Sequence, residues 1–309
     1  DSQIQLNSLA NIISNYHISY WRLTIVELGF ASGGTHSLDS LSQVDEVSFV
    51  ISDGTTVELP VIKDLNDTVF SVSSGGRVMD GGTIVATYNT KDIWRSWDAG
   101  GTYADDSGSW DPDIITVSGQ GSLLDLSSVA LFDAGFTSTG NDHTHQQVYA
   151  TDGGVIDFSG LQELILPSSG RDSIEFYVWN NSALKMSSLE HIWSSGNSHI
   201  KGEVKDGSYL SLGNIQLDAD FTLTVEGGST VEMGQLRSQK NGSFNVQGGS
   251  TIDADGLTFR ENFSISLNDS NDTLLVRNSI DFGSKLTLTN ANGATVAFGG
   301  DLRFEHSEN

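Results

Sequence analysis

The sequence predicts an all-β protein, a single-stranded parallel β-helix (solenoid) with coils of about 21 residues. A short motif recurs along most of the 309 residues: an apolar residue, a Gly/Asn/Asp/Ser turn, and then an apolar-x-apolar pattern. Helical repeats would need Ala, Leu, Glu and Lys at 3.6-residue spacing, and these are scarce in the repeated region. Because a unit of this length cannot bury its own apolar face, neighbouring units must stack.

The motif can be followed from copy to copy. "TVEGGSTVEMGQL" begins at Thr224, and "NVQGGSTIDADGL" begins 21 residues later at Asn245. Other copies open at Ile51, Val72, Val117, Val148, Val178 and Val204, and weaker ones are "LNDSNDTLLVRNSI" and "LTNANGATVAFGGDL". The apolar anchors that follow the turns are Val57, Val78, Leu124, Ile156, Leu184, Leu210, Val231, Ile252, Leu275 and Val296.

Alternation within a copy predicts the direction of each side chain. Val231 and Met233 should point into the core, whereas Glu232 between them should point outward. Each unit is predicted to contain two short strands and a Gly-rich corner such as Gly227-Gly228, where glycine supplies the positive φ of a sharp turn. Each coil then adds a strand about 4.8 Å from the last.

The first fifty residues fit the repeat less well. Five apolar residues share one face of a predicted helix: Leu6, Leu9, Ile12, Ile13 and Tyr16. The stretch "YWRLTIVELGF" that follows is typical of a strand. Because a solenoid end exposes unpaired edges, residues 1–30 are predicted to form an N-terminal cap of helix and strand. Residues 31–309 are predicted to form the repeats.

Loop insertions interrupt the repeat within residues 85–200. From the third apolar anchor of one unit to the next turn, the spacing falls from 19 to 17 to 15 residues in consecutive units, and it is 10 later. All the extra residues enter at one corner, so the loops should form a wall on one flank. Upstream, the 33 residues from Ile84 to Val117 are enough for one degenerate coil plus a loop. The ligand site is expected at these insertions, and the coils after Ile215 are expected to be a spacer.

Composition excludes several partners and cofactors. The formal net charge of −25 repels nucleic acid and anionic membranes, so neither nucleic-acid binding nor membrane insertion is expected. No apolar run approaches the roughly 20 residues of a membrane-spanning helix. Since there is no cysteine, disulfides and thiolate zinc sites are excluded.

Aromatic residues are concentrated in the insertions. Aromatic faces stack on sugar rings, and neighbouring polar side chains bind the sugar hydroxyls. The alternative is that these tryptophans seal an irregular coil against water. The candidate ligand-binding residues are Trp94, Arg95, Trp97, Asp98, Tyr103, Trp110 and Trp193.

The stretch "GNDHTHQQ" is a candidate metal site. In an extended segment His143 and His145 would share a face, where they could bind a divalent metal together with Asp142. The alternative is a polar loop tip.

A row of outward positions provides a candidate calcium site. The predicted row is Glu58, Asp125, Asp157, Lys185, Ser211, Glu232 and Asp253. Neighbouring carboxylates in this row should lie one strand spacing apart, where they repel unless a cation intervenes. Calcium (Ca) prefers oxygen ligands and is therefore a candidate cofactor. Repulsion screened by solvent is the alternative.

With this coil pattern the chain resembles the parallel β-helix surface proteins of bacteria, of the adhesin and autotransporter-passenger kind. It is more distantly similar to β-helix polysaccharide lyases. The resemblance covers about Ser40 to Phe304 and includes no catalytic motif. It implies a secreted, extracellular or cell-surface protein that binds carbohydrate.

The predicted function is a non-catalytic extracellular module, a surface adhesin or stalk that binds polysaccharide or cell-surface glycan through its loop-built flank. The alternative is a polysaccharide-degrading enzyme, a lyase or a hydrolase, with calcium as a candidate assistant. A lyase needs a basic residue and charge neutralisation at a uronate, whereas a hydrolase needs two carboxylates at a defined separation. No clustered basic cleft is visible in the sequence, and the acidic surface opposes an anionic substrate.

Overall fold

The computed structural model describes residues 11–13, 26–31, 33–82, 85–91, 93, 103–104, 109–136, 143–291 and 293–304. Within these ranges the regular elements are β-strands, almost all paired in parallel, and there is no α-helix. No helix in this part of the chain is long and apolar enough to cross a membrane. The prediction of an all-β protein built on parallel strands is confirmed.

The strands form three parallel ladders, which we call ladders 1, 2 and 3. Ladder 1 consists of Val26–Phe30, Val47–Ile51, Val69–Ser73, Asp113–Ser118, His143–Thr151, Ser173–Val178, His199–Val204, Asp220–Val225, Gly242–Val246, Phe263–Leu267 and Leu286–Asn290. Ladder 2 consists of Gly34–Ser37, Thr55–Glu58, Arg77–Met79, Leu123–Asp125, Val155–Asp157, Ala183–Met186, Tyr209–Leu212, Thr273–Val276 and Thr295–Phe298. Ladder 3 consists of Asn11–Ile13, Gln43–Asp45, Asp64–Asn66, Ala86–Asn89, Val129–Asp133, Glu163–Ile165, His191–Trp193, Ile215–Leu217, Ile280–Phe282 and Leu302–Phe304. Two nine-residue strands, Thr230–Ser238 and Thr251–Phe259, run through both ladder 2 and ladder 3.

Each unit of chain visits the three ladders in the same order. In ladder 1, Val204 pairs with Val225 and Val225 pairs with Val246. In ladder 2, nine of the ten predicted anchors form one continuous row that begins with Val57 opposite Val78. The repeat is therefore confirmed, but a unit contains three strands and not two. The ladder-3 strands are mostly three residues long, too short for alternation to reveal them.

The core is built from the inward residues of all three ladders, which form a single apolar cluster. Val231 and Met233 are buried and Glu232 is exposed, as the alternation predicts. Aromatic rings join the ladders across the core. Phe259 of ladder 3 stacks on Phe263 of ladder 1 with ring centroids 3.6 Å apart. Packing between ladders therefore supplies the apolar burial that a single unit lacks.

Two details of the predicted register are wrong. The tenth anchor is Leu274, which pairs with Ile252 and is fully buried, whereas Leu275 lies in the outward row opposite Asp253. Both residues are leucine, so alternation alone could not decide which one faces inward. The predicted degenerate coil is also absent, because Val72 pairs directly with Val117. The intervening chain adds one long insertion instead.

The predicted N-terminal capping helix is wrong where the structure describes that segment. Asn11–Ile13 is a strand that pairs with Gln43–Asp45 in ladder 3, and Ile12 packs against the core. Val26–Phe30 already belongs to ladder 1. Pairing with the next unit overrides the local helical pattern. The rest of residues 1–25 lies outside the described ranges, and a capping role for residues 1–30 stays a prediction.

A column of buried serines lines the corner between ladders 1 and 2. The backbone N–H of Ser182 donates to Ser208 Oγ, that of Ser208 to Ser229 Oγ, and that of Ser229 to Ser250 Oγ, at 3.1–3.2 Å. The column ends at Asp272, whose Oδ1 accepts the N–H of Ser250 at 3.2 Å. These side chains satisfy buried amides at a corner where the ladders supply no partner.

Gly202 leaves a gap in an otherwise continuous inward row of ladder 1. It lies between Phe176 and Leu223 and lines an apolar cavity of about 30 Å³. A Cβ on Gly202 would approach Leu223 Cδ1 at 2.9 Å, and that methyl also borders the cavity. We expect Gly202→Ala to raise the free energy of unfolding by about 0.5–1 kcal/mol, because alanine restricts the unfolded chain and fills part of the void.

Chemical denaturation would measure this change, with Gly154→Ala as the matched control. A Cβ on Gly154 would meet the backbone oxygen of Val117 at 2.3 Å, so that variant should be destabilised. Equal destabilisation of the two variants would contradict the position assigned to the cavity.

Candidate functional site

The inserted segments all enter at the corner between ladder 3 and ladder 1, as predicted. They comprise residues 90–112, 134–142, 166–172 and 194–198, and the later units have two or three residues at this corner. Neighbouring insertions are joined by hydrogen bonds. Ser168 N–H donates to the Phe136 carbonyl at 3.1 Å, and Ser194 Oγ donates to the Pro167 carbonyl at 3.3 Å. The described parts of the insertions thus stack beside the outer face of ladder 1.

Three aromatic side chains, Tyr149, Tyr177 and Trp179, lie on that outer face, and we call them the aromatic platform. Tyr149 and Tyr177 are cross-strand partners whose rings stack 4.7 Å apart at 11°. Trp179 meets both rings edge-on, at 5.8 and 5.1 Å. Its indole Nε1 is buried without a hydrogen-bond partner among the described residues. A buried indole N–H usually has a partner, so this donor is available to a ligand.

Two lysines of the next strand and its turn border the platform. Lys201 Nζ lies 5.1 Å from the centre of the Tyr177 ring, and Lys205 Nζ lies 5.7 Å from the centre of the Trp179 ring. Both ammonium groups form ion pairs with Glu203, at 2.7 and 2.9 Å. The lysines therefore cover part of the aromatic surface, and their charge is already neutralised.

A chain of hydrogen bonds runs beside the platform. His145 Nδ1 lies 2.6 Å from Ser173 Oγ, and Ser173 Oγ donates to Glu175 Oε1 at 3.1 Å. The Tyr177 hydroxyl donates to the other oxygen of Glu175, and Lys201 Nζ lies 3.9 Å from that oxygen. The chain links three consecutive strands of ladder 1 and presents Glu175 as an acceptor surrounded by donors.

Two aspartates lie on the other side of His145. Asp111 ends the longest insertion, and Asp113 begins the strand that pairs with His143–Thr151. Asp111 Oδ1 is buried and has no hydrogen-bond partner among the residues that the structure describes. Burial raises the pKa of Asp111, the nearby His145 opposes this shift, and Glu175 adds to it. Burial also raises the pKa of Asp113, and Asp111 adds to that shift.

The ionisation of the platform follows from its surroundings. Burial raises the pKa of Tyr149 well above its usual value, and the carboxylate of Asp113 raises it further. Burial and the hydrogen bond to Glu175 raise the pKa of Tyr177 in the same direction. Burial alone would raise the pKa of Glu203, but the hydrogen bonds from two lysines outweigh burial and lower it. Both phenols therefore stay neutral at physiological pH.

Most of the sequence-predicted site residues lie in the insertions. Trp94, Arg95, Trp97, Asp98 and Asp142 fall outside the described residues.

For three other predicted residues the structure describes the backbone. Tyr103–Ala104 and Ser109–Trp110 form an antiparallel pair, and Ser109–Trp110 pairs in parallel with the start of the strand His143–Thr151. The longest insertion therefore joins ladder 1 at the edge of the candidate site.

His145 and Trp193 have defined positions. His145 lies in a strand of ladder 1 within the hydrogen-bond chain and not at a loop tip. Trp193 ends a strand of ladder 3, is 39% exposed and stacks on His191 at 5.1 Å. Among the predicted residues with described side chains, the structure thus brings His145 to the candidate site and places Trp193 on another ladder.

The predicted acidic row of ladder 2 has the expected register. Asp125 pairs with Asp157, and Glu232 pairs with Asp253. Asp157 receives Lys185 Nζ at 3.0 Å, and Glu232 receives the Tyr209 hydroxyl at 2.6 Å.

Asp253 in the same row accepts a bidentate pair of hydrogen bonds from Arg277. Within the described ranges no group of three His, Asp or Glu side chains is placed to hold a metal ion. Ion pairs and hydrogen bonds, and not a calcium site, therefore surround the carboxylates of this row.

A groove of about 580 Å³ lies beside the same row, in coils that the sequence predicts to be a bare spacer. Its lining includes Tyr209, Glu232, Asp253 and Arg277. These side chains are bonded to one another in pairs, so the groove offers fewer available polar groups than the outer face of ladder 1.

The aromatic platform was not predicted, because one copy of the repeat was aligned two residues early. The structure pairs Val178 with Ala150, whereas the motif was opened at Val148. Both Val148 and Ala150 point inward, so alternation allows either choice. Alignment on the anchors Ile156 and Leu184 would have placed the two tyrosines in one row. No protein-family model matches the chain, and no curated protein or solved structure is significantly similar to it.

Proposed function

We propose that the three ladders wind around their shared core as a parallel β-helix and that the outer face of ladder 1 binds a polysaccharide. The cyclic order of the ladders and the single core support the fold. The stacked tyrosines beside Trp179 support the function and are the observation that carries it.

The platform has the chemistry that sugar rings require. Flat aromatic faces contact the C–H groups of a pyranose, and phenol and indole groups bond its hydroxyls. The neutral Tyr149 and Tyr177 hydroxyls and the unpartnered Trp179 Nε1 are such groups. Since parallel strands repeat every 4.8 Å or so, the face presents polar rows along which an extended polymer can lie.

On this proposal the chain is a surface adhesin or stalk that works outside the cell. The resemblance to bacterial β-helix surface proteins supports this setting, as does the net charge of −25, which favours solubility. The insertions form one wall of the binding face, and the C-terminal coils extend the body.

The test is to replace Trp179 with Ala and measure binding to a panel of soluble polysaccharides by affinity electrophoresis. We expect binding to weaken at least tenfold, because truncation of an aromatic anchor typically costs about 2 kcal/mol or more. The panel consists of mixed-linkage β-glucan, xylan, galactomannan, starch, alginate and polygalacturonate.

Trp193→Ala is the matched control, since Trp193 is exposed on ladder 3. It should bind like the unmodified protein, and both variants should melt within a few degrees of it. Equal loss of binding in the two variants would contradict a site on ladder 1. Unchanged binding in Trp179→Ala would remove the platform from the proposal.

A further inference from the structure

The geometry points to a glycoside-hydrolysing centre beside the aromatic platform, with Asp111 as the proton donor and Glu175 as the proton-accepting carboxylate. This inference rests on the proposed binding of polysaccharide at the same face. It adds a reaction, a pair of catalytic residues and a substrate class.

The two carboxylates lie on either side of the strand His143–Thr151. Asp113, two residues after Asp111, pairs with Gln147, and Gln147 pairs with Glu175. The strands that carry the two groups are therefore about two strand spacings apart, roughly 9.6 Å. Glycosidases that invert the anomeric centre hold their carboxyl groups about 6.5–9.5 Å apart, which leaves room for a water molecule. The register thus places the pair within the range of an acid and a base that act on opposite sides of one bond.

The two groups have opposite environments. Asp111 has a buried oxygen without a hydrogen-bond partner in the described chain, and burial favours its protonated form. Glu175 receives hydrogen bonds from Ser173 and Tyr177, with Lys201 close by. A proton donor and a proton acceptor are distinguished by such a difference in surroundings.

The reaction balances with water as the sole co-reactant. As the glycosidic C–O bond breaks, Asp111 transfers its proton to the departing oxygen. Glu175 takes a proton from the attacking water, whose oxygen bonds to the anomeric carbon. Solvent then carries a proton from Glu175 back to Asp111, and the pair returns to its starting form.

Three positioning groups support the pair. Ser173 connects Glu175 to His145 through the hydrogen-bond chain, and His145 also lies close enough to Asp111 to influence its ionisation. Tyr177 holds the second oxygen of Glu175 and is part of the platform. Ring stacking and proton transfer would therefore act on adjacent parts of one substrate.

The charges around the pair favour a neutral polysaccharide. Asp113 and Glu203 add negative charge, and the two nearby lysines are already paired with carboxylates. A uronate polymer would be repelled here, and no unpaired cation of the described site is placed to neutralise its carboxylate. This arrangement also opposes β-elimination, which needs that neutralisation. Neutral glucans, xylans and mannans are the expected substrates.

The test incubates the whole chain with the polysaccharide panel and measures new reducing ends. We expect release from at least one neutral polymer and none from alginate or polygalacturonate. Asp111→Asn and Glu175→Gln should each lower the rate about 100-fold or more. Each should bind polymer within about threefold of the unmodified protein by affinity electrophoresis.

Asp157→Asn is the control, because Asp157 is an outward carboxylate that bonds Lys185 on ladder 2. It should keep the full rate. The pH profile separates the roles: the acidic limb of the rate reports the base and should be lost in the residual activity of Glu175→Gln. The alkaline limb reports the acid and should be lost in Asp111→Asn. Charged neighbours Asp113, His145 and Glu203 shift both limbs without removing them.

Several outcomes would overturn the inference. Binding without new reducing ends would remove hydrolysis and leave the binding proposal intact. Unsaturated products that absorb near 235 nm would replace hydrolysis with elimination. Full activity in Asp111→Asn would exclude it as the proton donor. If the chain neither bound nor cleaved any polymer in the panel, both the proposed function and this inference would be wrong.

Discussion

Replacing Asp272 with Ala is expected to lower the free energy of unfolding by about 3 kcal/mol or more. The carboxylate is fully buried and accepts three backbone N–H groups, from Gly249 at 2.9 Å, Ser250 at 3.2 Å and Asp269 at 2.7 Å. Alanine would leave these donors buried and unpaired. Each unsatisfied buried donor costs about 1–3 kcal/mol, so the loss is large even if the effects are not additive.

Asp272→Ser is the informative comparison, because serine occupies the corresponding corner in the preceding coils. Ser250 Oγ, for example, accepts the N–H of Ser229 at 3.2 Å and donates to the Gln247 carbonyl at 2.8 Å. Asp272→Ser should therefore recover about half of the stability that Asp272→Ala loses. Guanidinium denaturation followed by circular dichroism would measure both. Equal losses in the two variants would show that the column of corner hydrogen bonds does not stabilise this end of the protein.

Replacing Phe259 with Ala is expected to cost about 3–5 kcal/mol, because the cavity left in a packed core adds to the lost apolar burial. Phe259 is fully buried on ladder 3. Its ring lies 3.6 Å from that of Phe263, 5.8 Å from that of Phe282 and 6.5 Å from that of Phe244. These partners come from ladder 1 and from the next coil, so one substitution loosens packing within and between coils.

Thr258→Ala is the control for this substitution. Thr258 neighbours Phe259 in the same strand but points outward, so its replacement should change the free energy of unfolding by less than about 0.5 kcal/mol. Unfolding in urea, monitored by intrinsic fluorescence and circular dichroism, would compare them. Similar losses for Phe259→Ala and Thr258→Ala would contradict the inward and outward assignment of the whole row.

The repeat was predictable because it depends on local physics. Side chains alternate with period two, and a coil of fixed length brings the same position of each unit into one row. The pairings of Val231 with Ile252 and of Glu232 with Asp253 follow from that regularity. Where two neighbouring residues are both apolar, as at Leu274 and Leu275, the local pattern is ambiguous and packing decides.

The corner used by the insertions was also predictable, since extra residues were counted between fixed anchors. The contents of the site were less so. Tyr149 and Tyr177 are 28 residues apart in the chain but pair across neighbouring strands. Insertions of unequal length separate such residues by different distances in each unit. A constant period of 21 residues therefore could not bring them together in an alignment.

By itself, the sequence determined that parallel strands stack in register, which side chains face the core, and where the loops leave the body. Only the tertiary structure decided that three ladders share that core, that Asn11–Ile13 is a strand and not a helix, and that Asp111, His145 and Glu175 meet on one face. The physical reason is the range of the interactions. Alternation and turn chemistry act between residues close in the chain, whereas ionisation, ring stacking and hydrogen bonding across ladder 1 depend on neighbours that are two dozen residues or more away.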